Sequence, residues 1–212
     1  MKKYIFFILA ILTLIISLYF SLIYSPPEEK MGELVRILYI HIPFAWYGFF
    51  SFTITFISSI LYLLKREYKF DKIGAVGTEI GFVFITITIL TGSIWAKGVW
   101  GVFWVWEPRL TTTLILWFLY LTYLLLRNFV ETPDKRARLS SVLGIIFYFD
   151  IPLVYFSVYL WRSVHPLIFK PYQIGIEAPM KVALFLSLIP FLFIFLLIFE
   201  LRYKIYLKEE KL

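Results

Sequence analysis

The chain has no cysteine and only two histidines in 212 residues. Without cysteine there are no disulfides, no thiol redox chemistry and no CxxCH site for covalent haem attachment. Charge is scarce as well: Asp, Glu, Lys and Arg make up 17% of the residues against 61% hydrophobic. The mean hydropathy of +0.83 is far above what a soluble globular domain needs. Internal repeats, low-complexity tracts and polar linkers are missing too, which predicts one undivided domain over 1–212.

What is there is apolar and long. Six runs, roughly 4–24, 38–64, 74–95, 110–130, 139–160 and 179–203, reach the ~20 residues that a helix needs to cross a hydrocarbon core. The expected fold is all-α, an integral membrane bundle of six transmembrane helices. The first run follows Lys2 and Lys3 but exceeds the h-region of a signal peptide, and Tyr24-Ser25-Pro26-Pro27 offers no small-x-small cleavage site. It reads as a retained first helix.

The net charge of +7 would suggest nucleic acid in a soluble protein, but in a membrane protein it reports basic loops on one side of the bilayer. Counting loops alternately, fourteen of the 21 Lys and Arg residues fall on the side of the N-terminus and seven on the other. The bias predicts both termini inside, in the cytoplasm, for a multi-pass membrane protein.

That orientation puts Trp95 to Thr113, WAKGVWGVFWVWEPRLTTT, on the outer face as a tryptophan-rich loop. It holds four of the seven tryptophans, Trp95, Trp100, Trp104 and Trp106, with Gly98 and Gly101 loosening the backbone. Trp46 and Trp161 fall near the same boundary, and no tryptophan marks the inner one. Interfacial anchoring would use both faces, so the asymmetry favours a surface for a flat apolar ligand with charged edges.

Glu107-Pro108-Arg109 reads as a helix start, because proline suits the first helical position and a carboxylate suits the positive end of the dipole. Arg109 gains nothing from that dipole, which points to a ligand carboxylate or Glu107 as its partner. The two histidines, His41 in YIHIPFAW and His165 in SVYLWRSVHPLIF, both fall at the outer boundary beside a proline. Neutral imidazole is a good iron ligand, and each histidine alone is also explained by the interfacial zone. Glu79 and Asp150 lie inside helices, where charge is costly; no basic partner at matching depth is evident, and a structural hydrogen bond is favoured over a proton pathway.

These residues together resemble the haem-handling, tryptophan-rich (WWD) family of cytochrome c maturation, and within it the CcmC family. The family's segment WGxxWxWDxRLT is matched by Trp100-Gly101-Val102-Phe103-Trp104-Val105-Trp106-Glu107-Pro108-Arg109-Leu110-Thr111, with YIHIPFAW around His41 before it and IPLVYFSVYLWRSVHP leading to His165 after it. The chain departs from the pattern at Glu107, where the family has aspartate, at Pro108, and at Asp150, where it tends to have a neutral polar residue.

The resemblance implies a haem chaperone that need not catalyse a reaction. His41 and His165 would be axial ligands of the iron of a transient, non-covalent b-type haem, with Trp100, Gly101, Trp104, Trp106, Glu107 and Arg109 around the porphyrin. Implied partners are a membrane-anchored haem carrier like CcmE, the ABC-transporter-like CcmA and CcmB, and a small subunit like CcmD, in contact with membrane lipid. Two rivals are a b-type electron-transfer subunit, which would place histidine pairs inside its helices, and a permease, which would need a polar path through several helices.

Overall fold

Each of the six apolar runs is helical in the computed structural model, which describes residues 2–29, 31–166, 169–170 and 173–209. Lys30 and Lys211, two of the basic residues counted above, lie outside them. Helix α1 (Lys2–Tyr19) ends in a π-turn over Phe20–Tyr24, and a 3-10 turn over Glu33–Ile37 leads directly into α2 (Leu38–Lys65). Then follow α3 (Tyr68–Trp100), α4 (Pro108–Phe129), α5 (Pro133–Tyr148), α6 (Asp150–Leu160) and α7 (Ala178–Glu209), with a short antiparallel pair, Phe169–Lys170 against Gln173–Ile174, before α7. Six spans among the described residues are long and apolar enough to cross a membrane, the fifth made of α5 and α6 together.

The helices run past the apolar runs that predict them. The second span covers Glu33–Lys65 and the third Tyr68–Trp100, 33 residues each. Hydropathy reports where the hydrocarbon ends, whereas a helix continues until a residue stops it. Gly101 is such a residue: at φ 78° it takes the left-handed conformation and donates its N–H to the Lys97 carbonyl at 3.1 Å, an arrangement open to glycine without penalty. The expected loop over 95–113 is therefore corrected. Its first third belongs to α3 and its last third to α4, leaving 101–107 as the connection.

Helices α2 and α3 pack along their length through small residues. A methyl group on Gly77 would lie 2.8 Å from the Ser51 carbonyl oxygen, so the backbones approach as closely as glycine allows. Phe52 of α2 stacks flat on Tyr120 of α4 with ring centroids 3.5 Å apart, in a core that includes Ile85, Leu116, Tyr123 and Phe147. A second core joins the start of α2 to α7 through Val35, Leu38, Tyr39, Met180 and Leu184. A third sets Phe195 of α7 against Val76, Ile80 and Phe84 of α3.

Two ion pairs between helices lie toward the opposite end of the bundle from the tryptophans. Asp71 of α3 takes both prongs of Arg127 of α4. Glu79 does have basic company, contrary to the sequence reading. Arg202 of α7 donates to it at 2.5 and 2.9 Å, and the Tyr206 hydroxyl at 2.7 Å. The partner is 123 residues away on a helix running beside α3, a proximity that counting residues from each helix end does not reveal. Asp150 opens α6 directly after Phe149, where the fifth span breaks. One of its carboxylate oxygens is buried without a hydrogen bond.

Candidate functional site

At the tryptophan end, α2, α3, α4, α6 and the segment after α6 surround a cleft that opens to the surroundings. His41 and His165 both line it, together with Trp46, Trp95, Trp100, Trp104, Arg109, Tyr155 and Tyr159. The cleft is recessed between helices. His41 lies eight residues into its span, counted from Glu33, which with ~2.0 Å per residue through the 3-10 turn and ~1.5 Å in α2 is about 14 Å from the end.

Both imidazoles are engaged at Nδ1. His41 Nδ1 is 3.1 Å from Thr91 Oγ1. When that hydroxyl donates to the Ile87 carbonyl, 2.8 Å away, its oxygen accepts from Nδ1–H and leaves Nε2 unprotonated. His165 Nδ1 faces the Pro166 carbonyl at 3.1 Å, which can only accept. In each ring Nε2 then keeps its lone pair, the arrangement a ligating histidine has when its other nitrogen is engaged. Burial, reinforced by the nearby Arg109 cation, lowers the His165 pKa to about 4, so its imidazole is neutral near pH 7.

Space for the His41 ring comes from Gly92 of α3, where a methyl group would stand 3.0 Å from Cε1. The His165 ring tilts against Trp95 with centroids 6.5 Å apart, and Trp95 meets Trp100 edge to face at 5.2 Å. Three donors beside the cleft are buried without an acceptor among the described residues: Trp95 Nε1, Trp104 Nε1 and Arg109 Nε. Buried N–H groups without acceptors are costly, and three around one cavity fit a ligand rich in acceptor oxygens. Arg109 also donates from Nη2 to the Tyr155 carbonyl at 3.2 Å, tying α4 to α6.

Not every residue expected at the site lines the cleft. Trp106 is 76% exposed and packs edge to face on Trp104 from outside. Gly101 ends α3. Glu107 is 7% exposed and caps α4, its Oε1 accepting the Leu110 N–H at 2.5 Å while Oε2 accepts the Ser163 hydroxyl at 2.5 Å. Arg109 hydrogen-bonds to the Tyr155 carbonyl of α6, with the Glu107 carboxylate as a favourable charge nearby. The sequence reading missed Thr91, Gly92 and Ser163. Thr91 and Gly92 carry no signal in a helix full of Thr and Gly, and Ser163 lies two residues from His165 without a motif of its own.

Buried donors without acceptors among the described residues, two imidazoles engaged at Nδ1 and flat indoles suit a planar metal-bearing ligand with carboxylate edges. The family model CcmC, heme exporter protein C, matches residues 2–212. The heme exporter protein C of Bradyrhizobium diazoefficiens is 34% identical over 155 residues, 73% of this chain and 59% of that protein. That of Haemophilus influenzae is 31% identical over 206 residues, 95% of this chain and 84% of that protein. With a match spanning almost every residue and relatives aligned over most of its length, the chain belongs to the CcmC, heme exporter protein C, family.

Proposed function

We propose that this protein handles haem during c-type cytochrome biogenesis, holding it in the cleft through His41 and His165 as axial ligands and passing it to a membrane-anchored carrier of the CcmE kind. The observation that carries the reading is the pair of histidines, 124 positions apart in sequence, on one cleft and each engaged through Nδ1. Haem is the cargo. Its iron takes imidazole nitrogen, its faces suit Trp95, Trp100 and Trp104, and its propionates suit the unpaired donors of Arg109 and the indoles.

The rest of the assignment follows from this site and from the distribution of charge. The cleft belongs to the outer, periplasmic face of the inner membrane, with both termini inside, and the whole chain acts as one domain. An exposed rim that includes Phe103, Trp106 and Trp161 gives the carrier an apolar surface to meet. Subunits of the CcmA, CcmB and CcmD kinds complete the assembly.

Purified protein tests the reading by its visible spectrum. Wild type takes up haem and gives a low-spin, two-histidine spectrum, while His41→Ala and His165→Ala each lose that signature and deliver less haem to the carrier. Variants that keep the wild-type spectrum refute the axial-ligand assignment.

A further inference from the structure

The histidines are supported in different ways. His41 is part of the α2 backbone and is backed by Thr91 across the tightly packed α2–α3 face. His165 follows the end of α6 at Leu160 on a segment with neither helical nor strand structure over 161–166. From that segment, Ser163 Oγ donates to Glu107 Oε2 at 2.5 Å and accepts the His165 backbone N–H at 3.1 Å. The other carboxylate oxygen of Glu107 is fixed on the first turn of α4 through the Leu110 N–H.

From this chain of bonds we infer that Glu107 is a positioning residue for His165, acting through Ser163, and not a group that touches the ligand. The carboxylate divides its two oxygens, one for the start of α4 and one for the segment that carries the histidine. A hydrogen bond to a buried carboxylate is among the stronger ones a protein makes, and Glu107 is almost fully buried. Glutamate differs from the family's aspartate by one methylene, and here its two oxygens reach both the helix start and Ser163. Burial of the carboxylate also answers why an acidic residue stands in a segment otherwise made of aromatic groups: its charge is used within the fold.

The inference rests on the haem reading for its consequence but not for its geometry, so the test has two arms. Full-length protein is purified in detergent as wild type, Ser163→Ala, Ser163→Thr and Glu107→Asp, each with 15N-labelled histidine. With two histidines in the chain, the imidazole resonances without added haem divide into two sets, assigned with His41→Ala. Ser163→Ala and Glu107→Asp shift the His165 set and leave the His41 set in place, and Ser163→Thr, which keeps the hydroxyl, restores it. With haem added, Ser163→Ala and Glu107→Asp release it roughly tenfold faster or more, the effect of losing one charge-assisted hydrogen bond, while Ser163→Thr stays within about twofold of wild type. Unmoved His165 resonances in Ser163→Ala overturn the inference and leave Glu107 as a helix cap. Wild type that takes up no haem refutes the haem reading, and the resonance arm still decides the bridge. Should Glu107→Asp fail to fold, the two Ser163 variants decide alone, since Ser163 lies outside every helix.

Discussion

Asp71 and Arg127, 56 residues apart, form a two-pronged ion pair at 2.5 and 3.0 Å with 7% and 8% of their side chains exposed. It joins the first turn of α3 to the last turn of α4. Removing one member leaves the other charged and buried, which costs about 3–5 kcal/mol, whereas replacing both by apolar residues costs far less. Asp71→Ala is therefore expected to lower the thermal midpoint in detergent strongly, and Asp71→Ala with Arg127→Met to recover most of the loss. Additive losses in the double variant would refute a coupled pair.

Thr91 holds the Nδ1 side of the His41 ring. Thr91→Val keeps the shape and removes that hydrogen-bond partner. Haem affinity is expected to fall about 10- to 100-fold, the usual effect of losing a ligand's hydrogen-bond partner, with the thermal midpoint without haem little changed. Titration of the Soret band measures it.

Gly77 faces backbone, and its methyl would meet the Ser51 carbonyl. Because backbone cannot turn aside as a side chain can, Gly77→Ala is expected to destabilise the protein by about 1–3 kcal/mol. Gly98→Ala meets the flexible end of Leu34 and is expected to cost less. Detergent melting curves of the two variants compare them directly, and equal losses would contradict the close α2–α3 approach.

The absence of cysteine makes topology simple to test. An impermeant thiol reagent added to intact spheroplasts is expected to label Val164→Cys, at a residue 64% exposed, and to label Glu131→Cys, between α4 and α5, only after the membrane is opened. The reverse pattern would place the cleft inside.

The number of membrane spans was legible because each apolar run is long enough to cross a bilayer, and the start of α4 was legible because Glu107-Pro108 is a local signal. Pairings between distant helices were not. Glu79 looked isolated by depth counted along its own helix, yet Arg202 reaches it from α7. Asp71 and Arg127 lie 56 residues apart, and neither carries a local signal of the other. At the cleft, composition pointed to the two histidines, the tryptophans and Arg109, which are rare or costly residue types. Thr91, Gly92 and Ser163 escaped because their roles come from what stands opposite them. Glu107 was recognised as a helix start, while its second bond, to Ser163, depends on how the chain returns after α6.

The ionic pairs of α3 also have a mechanical meaning. Asp71 and Glu79 fasten α3 to α4 and α7 near one end, while Trp95 lies sixteen residues beyond Glu79, about 24 Å along the axis at ~1.5 Å per residue. At the tryptophan end α3 is held instead by uncharged contacts, the His41–Thr91 hydrogen bond and the packing of Leu34 on Gly98, so charge fastens one end of the helix and apolar fit the end that lines the cleft.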